Sequence, residues 1–221
     1  MYSRAIKGGR QRVIYIDGND RLVKIGGDPA WRNNNPGNLK SGAHTRIHGS
    51  IGVANGFTVF PSEEIGTEAR VRLLKGSKYR NMTIIEAVRS YAPKKDGNNP
   101  ERYVRQIESI AGLKRNRVLK DLSNDEFAAL VAAMKQIEGN KPGREEKFRV
   151  KEIIDIRVNK RNVIIAYNVE DYGWLSKAET IALIEEGRID AVVVSESGST
   201  YIRTRPDQAS SNNLEEMKPR K

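Results

Sequence analysis

Residues 31–40 read WRNNNPGNLK, and residues 57–66 read FTVFPSEEIG. The first stretch sets four asparagines around a Pro-Gly turn signal. Gly and Asn tolerate positive φ, so this is a tight irregular loop rather than a helix or strand. The second ends a β-like run at Pro61 and opens a helix, with Ser62 as N-cap and Glu63 and Glu64 at the positive end of the dipole. Working outward, GSIGVANGFTVF (49–60) reads as two strands joined at Ala54-Asn55-Gly56. RVIYIDGNDRLVKI (12–25) reads as a hairpin turning at Asp17-Gly18-Asn19-Asp20.

Helices follow on the C-terminal side. Thr83 with Glu86 forms a capping box for TIIEAVRSYA, which Pro93 stops. Asn99-Pro100 opens ERYVRQIESIAG, with Gly112 as its C-terminal stop. Ser123 with Glu126 caps NDEFAALVAAMKQIEG, ending at Gly139. Asn140–Glu146 reads as a linker. Beyond it FRVKEIIDIRV and NVIIAYNV read as strands, Ser176 with Glu179 caps AETIALIEEG, and AVVVSES and TYIRTR read as two more strands. The expected organisation is α+β: a mainly helical first domain with a small β-region over residues 1–143, a ββαββ domain over 147–206, and a disordered tail over 207–221.

The chain has 221 residues and a formal net charge of +11, a field that attracts polyanions such as nucleic acid, anionic lipid or bacterial wall. The charge is spread rather than blocked, and no recognition motif or Lys/Arg-aromatic stripe appears, which disfavours a nucleic-acid partner. No apolar run approaches the ~20 residues that span a bilayer. The N-terminus lacks an apolar core and cleavage site, so no secretory signal is expected. With no cysteine and only His44 and His48, thiol chemistry is excluded, and neither a metal site nor a cofactor is expected.

Glu138 is the leading candidate for an acid. Phe127, Leu130, Val131, Met134 and Ile137 form one apolar helical face, and Glu138 lies on or beside it at the helix's C-terminal end. Partial burial and the dipole both raise a carboxylate pKa, which suits a general acid. The plainer reading is a polar edge on the last turn. Asn33, Asn34, Asn35 and Asn38 pair donors with acceptors suited to sugar hydroxyls and acetamido groups. Trp31 offers a ring face. The same asparagines could instead bond their own backbone. Asp28, Glu63 and Glu64 are candidates for a second carboxylate, with loop and first-turn roles as their alternatives. Asn98 and Tyr91 are further binding candidates. His44 and His48 read as surface residues, and Tyr103 as core.

WRNNNPGNLK, GFTVFPSEEIGTEARVRLL, TIIEAVRSYAP and the closing Glu138-Gly139 together resemble a phage- and toxin-associated module with an R-N-N-N-P-G-N signature, over residues ~26–143. That resemblance implies a lysozyme-like fold. The stretch from Asn34-Asn35 to Arg80 is also similar to bacterial N-acetylglucosaminidases, but their catalytic Glu precedes the Asn pair, and no Glu precedes Glu63 here. Phage lysozymes carry their acid in a Glu-Gly pair ahead of the β-region. Glu138-Gly139 comes after it, which a circularly permuted order reconciles. GWLSKAETIALIEEGRID and YIRTRPD resemble a small bacterial domain of unknown function. The implied activity is a peptidoglycan glycosidase, a muramidase or lytic transglycosylase, working as a phage lysis or virion enzyme or as a secreted antibacterial effector (a toxin). The expected partners are glycan strands and an immunity protein or delivery component. The expected location is the periplasm or wall, after synthesis in the cytoplasm. The alternatives are a non-catalytic wall-binding or phage structural protein and, less favoured, a nucleic-acid-binding protein.

Overall fold

A computed structural model describes residues 1–196, 198–204 and 214. In chain order the elements are β1 (Arg4–Lys7), β2 (Arg12–Asp17), β3 (Asp20–Ile25), α1 (Pro29–Arg32), α2 (Ala43–Ile47), β4 (Gly52–Ala54), β5 (Phe57–Val59), α3 (Glu63–Lys75), α4 (Ile84–Tyr91), α5 (Pro100–Ala111), α6 (Asn124–Glu138), β6 (Arg144–Arg149), β7 (Ile153–Val158), β8 (Ile164–Val169), β9 (Gly173–Leu175), α7 (Lys177–Glu185), β10 (Ala191–Glu196) and β11 (Ser199–Thr204). Contacts divide the chain into two units. Residues 1–6 group with 25–144, and residues 7–24 with those from 145 on. The hairpin of residues 12–25, read in sequence as the opening of the first region, thus groups mainly with the second.

The first unit is organised by its helix caps. Ser62 accepts from the Ile65 N–H, Asn99 from Arg102, and Thr83 and Ser123 close capping boxes with Glu86 and Glu126. Each satisfies N–H groups that a helix start otherwise leaves orphaned. The helices converge on one apolar cluster that includes Leu74, Ile84, Val88, Val104, Ile107, Leu130 and Met134. The β4–β5 hairpin turns through Asn55 (φ 52°) and Gly56 (φ 83°), the left-handed pair that a two-residue turn needs.

In the second unit β2, β3 and β6 lie side by side. Val13, Ile14 and Tyr15 are all fully buried, so this strand is covered on both faces. β7, β8 and β9 form an antiparallel sheet, and β10 pairs with β11. Ile153, Ile156, Tyr167, Val169, Ile189, Ala191 and Ile202 make its core. Leu214 is buried in the same cluster; the rest of the stretch read as a tail, 207–221, lies outside the described residues.

The expectation of a mainly helical, lysozyme-like domain, in ordinary or permuted order, is overturned. The structure is 35% helical and 29% strand, with several small antiparallel sheets, and its C-terminal region is mostly strands. Runs such as Val13–Tyr15, Ile153–Ile156 and Val192–Val194 are rich in β-branched residues that favour extended backbone. Motif order, on which the resemblance rested, carries no information about them. The ββαββ order is corrected too. β6 and β7 are separate strands, because between them the Val150 N–H bonds to Asn19 and the Lys151 N–H to Arg188. β9 adds a third strand beside β8, through a tight turn at Asp171 (φ 65°) and Gly173 (φ 74°).

A buried carboxyl in the cleft of the first unit

Glu138 is the last residue of α6. The helix buries Phe127, Leu130, Val131, Ala133 and Met134, which fixes the face that Glu138 continues, and Gly139 (φ 76°) ends it. The Glu138 side chain is 9% exposed. Three other elements meet it there. From α5 the Tyr103 hydroxyl donates to Oε1 at 2.6 Å. From the asparagine loop Asn38 Nδ2 donates to Oε2 at 3.3 Å. From α3 the Arg70 guanidinium, itself fully buried, lies 3.7 Å from Oε1.

The loop that brings Asn38 is held by its other asparagines. Asn34 Nδ2 donates to the carbonyls of Phe60 and Pro61, both at 3.1 Å. Asn35 Nδ2 donates to Leu39 (3.0 Å) and Thr58 (2.9 Å), and Asn35 Oδ1 accepts from the Leu39 N–H at 2.9 Å. Asn33 is buried, and its carbonyl accepts from the Phe60 N–H at 3.0 Å. Asn34 (φ 49°) and Asn38 (φ 46°) take the left-handed backbone that asparagine tolerates. Glycine is required at two contacts. A Cβ on Gly66 of α3 would collide with the Asn34 carbonyl, and one on Gly37 would sit 2.7 Å from the Tyr91 hydroxyl and 2.8 Å from Arg70 Cδ. The Tyr91 hydroxyl donates to the Gly37 carbonyl.

Burial pushes the Glu138 carboxyl above the ordinary carboxylate range. Arg70, the hydrogen bonds from Tyr103 and Asn38, and the nearby Tyr91 hydroxyl pull the other way without cancelling it. Burial also raises the phenols of Tyr91 and Tyr103, with the Glu138 charge adding to the effect, so both stay protonated as donors.

This carboxyl lines a cleft of about 1090 Å³. Asn38, Tyr91, Tyr103, Asn98, Gln106 and Phe57 also line it, and Lys78, Lys95 and Arg102 bring positive charge. Asp96 is the other carboxylate of the lining, bonded to Lys40 at 2.9 Å; that bond holds it below its ordinary pKa. Of the residues singled out in sequence, Glu138, Asn38, Tyr91 and Asn98 come together here. Trp31, Asn33, Asn34, Asn35, Asp28, Glu63 and Glu64 do not line this cleft.

The three candidate second carboxylates hold structure instead. Asp28 Oδ2 accepts from the Lys141 N–H at 2.8 Å, just beyond α6. Glu63 pairs with Lys135 of α6 and accepts from Asn140 Nδ2 at 3.0 Å. Together they brace the helix end that carries Glu138. Glu64 is exposed, and its bond with Ser62 lowers its pKa.

Three residues of the site went unassigned in sequence. Tyr103 read as core, which is half right, since only its hydroxyl reaches the site. His44 read as surface, yet it lines the cleft with Nε2 2.8 Å from the Ala69 carbonyl oxygen. Arg70 was legible in principle. It follows Gly66 and precedes Leu74 at four-residue spacing, a charge on a helix's apolar stripe, and such a charge is rarely buried unless paired.

The fold and site define a two-unit α+β protein with one carboxyl buried in a basic, amide-lined cleft. Residues 152–218 match the family described as "Protein of unknown function (DUF3892)". The match agrees with the small domain of unknown function read there, and nothing supports a lysozyme-like module in residues 26–143. No curated protein and no solved structure matches the chain. Among the described residues no helix is long and apolar enough to cross a membrane.

Proposed function

We propose that this chain cleaves glycosidic bonds of peptidoglycan, with Glu138 as the general acid. The observation that carries this is the desolvated Glu138 carboxyl lining a large cleft, held by the Tyr103 hydroxyl and the Asn38 amide. A carboxyl with a raised pKa holds its proton to higher pH than an ordinary glutamate and can give it to a glycosidic oxygen as the C–O bond breaks. The bond's electron pair goes to that oxygen, and the sugar carbon takes on oxocarbenium character. Water then adds in a hydrolase, or a hydroxyl of the same sugar in a transglycosylase, and the proton that the adding oxygen sheds goes to a carboxylate of the cleft, Asp96 or the ionised Glu138. A hydrolase needs a second carboxylate at the cleft, and Asp96 is the one available. A transglycosylase needs only Glu138.

The lining supports the substrate class. Carboxamides of Asn38, Asn98 and Gln106 suit acetamido groups and hydroxyls, aromatic side chains suit sugar faces, and the lysines and Arg102 suit a carboxylate-bearing polymer. The net charge of +11 favours association with an anionic wall.

The test is mass spectrometry of muropeptides released from purified peptidoglycan by wild type and Glu138→Gln. Release by wild type and none by the variant is the expected result. Reducing ends would mark hydrolysis and anhydro ends transglycosylation. Equal release by both would remove Glu138 as the acid, and no release by either would favour a non-catalytic wall-binding or phage structural role.

A further inference from the structure

We propose that Arg70 is the positioning residue of this cleft, the fixed counter-charge that lets the Glu138 carboxyl give up its proton at each turnover. This rests on the reading of Glu138 as the acid. Arg70 is wholly buried, and its Nη2 donates to the Val131 carbonyl at 3.2 Å, on the helix that carries Glu138. Its Nη1 stands 3.7 Å from Glu138 Oε1, too far for a hydrogen bond and near enough for charge to act strongly in a desolvated site. Nε and Nη1 make no hydrogen bond of ordinary geometry, and on that side the guanidinium has, among the described residues, only the neighbouring Tyr91 hydroxyl and the Glu138 carboxyl to act on. A buried guanidinium left in this state is costly, and an apolar side chain between Gly66 and Leu74 would pack the stripe without that cost. The carboxyl supplies the reason to keep the charge.

Among the described residues, the other groups facing Glu138 are neutral. Tyr103 comes from α5, Tyr91 from α4 and Asn38 from the loop. Tyr103 and Asn38 stabilise a carboxylate by donating hydrogen bonds, and Tyr91, whose proton goes to Gly37, adds only its dipole; none brings net charge. After the proton leaves for a glycosidic oxygen, the carboxylate is an anion in a desolvated pocket, and Arg70 is its ion-pair partner. The loop holds Arg70 in place, because at Gly37 the backbone presses so close to Arg70 Cδ that even a methyl group would not fit.

The experiment uses the full chain with Arg70→Met, Arg70→Lys and the double variant Arg70→Met/Glu138→Gln. Carbon-13 NMR of labelled glutamate side chains follows the Glu138 titration, assigned by its loss in Glu138→Gln. The expected result is a midpoint moved to higher pH in Arg70→Met and close to wild type in Arg70→Lys. Arg70→Met is also expected to lose thermal stability at neutral pH, and the double variant to recover it, since no charge then needs a partner. On peptidoglycan the alkaline limb of the Arg70→Met pH–rate profile moves to higher pH. An unmoved midpoint, or a double variant as unstable as Arg70→Met, overturns the proposal. A wild type that releases no muropeptides overturns the glycosidase reading instead and leaves the titration to judge Arg70.

Discussion

The first turn of α3 and the last turn of α6 each carry a carboxylate of the first unit, and they hold it in opposite ways. Glu63 sits at a helix N-terminus, where the dipole favours an anion, and its side chain is 36% exposed. Burial opposes its charge, but the bonds from Lys135 and Asn140 outweigh that and leave its pKa below the ordinary value. Glu138 sits at a helix C-terminus, where the dipole disfavours an anion, and there burial prevails over Arg70 and the hydrogen bonds. The difference separates a brace from an acid. A carboxylate paired with an accessible lysine is ionised and structural. One that is desolvated, with a hydroxyl and an amide as its hydrogen-bond donors and a guanidinium beyond hydrogen-bond reach, holds its proton to higher pH.

The largest expected effect follows directly. Glu138→Gln lowers muropeptide release by about 100- to 10,000-fold, the usual contribution of general acid catalysis, whereas Glu63→Gln keeps activity within a few-fold. Comparable losses in both would erase the distinction. The two ends of the asparagine loop give the next contrast. Asn35→Ala leaves two carbonyls and the Leu39 N–H without their buried partner, a loss of about 1–3 kcal/mol in denaturant unfolding. Asn38→Gly, which keeps the left-handed backbone without strain, is expected to lower turnover with a smaller change in stability, because the lost amide reaches Glu138 instead of the loop. If Asn35→Ala melts like wild type, the scaffold role assigned to that half of the loop is wrong.

Smaller still is the capping effect. Ser123→Ala removes the cap that starts α6 and is expected to cost about 1 kcal/mol, read as a lower midpoint in thermal melts. Smallest is the pH dependence of stability, where the two carboxylates act with opposite sign. Glu138 has a raised folded-state pKa, so its contribution is full below the ordinary carboxylate range and is lost as pH rises through the folded midpoint. Glu63 has a lowered one, so its contribution is present above the ordinary range and is lost as pH falls, weakened by solvent screening. Thermal melts against pH should show Glu138→Gln flattening the upper window and Glu63→Gln the lower.

The local signals were the legible part. Ser62, Thr83, Asn99, Ser123 and Ser176 each cap a helix where the sequence placed one, because a cap bonds within three residues of itself. Glu138 was legible for a similar reason, since helical spacing alone puts it beside an apolar face. What the sequence withheld were partners far along the chain. Nothing near Arg70 indicates that its charge meets Glu138, nor does anything near Asp28 show that it bonds the backbone at Lys141. Asn33, Asn34 and Asn35 have the same chemistry as Asn38, and only the course of the chain past Thr58, Phe60 and Pro61 turns them into scaffold. The lysozyme-like expectation failed on the same ground, because a short motif specifies a loop and not the strands around it.

Titration of the Glu138 and Glu63 carboxyls in the wild-type chain by carbon-13 NMR tests the division between acid and brace most directly. The acid role of Glu138 predicts a Glu138 that titrates above the ordinary glutamate range and a Glu63 below it. A Glu138 that titrates at or below that range would contradict it, because a carboxyl already ionised at neutral pH has no proton to give.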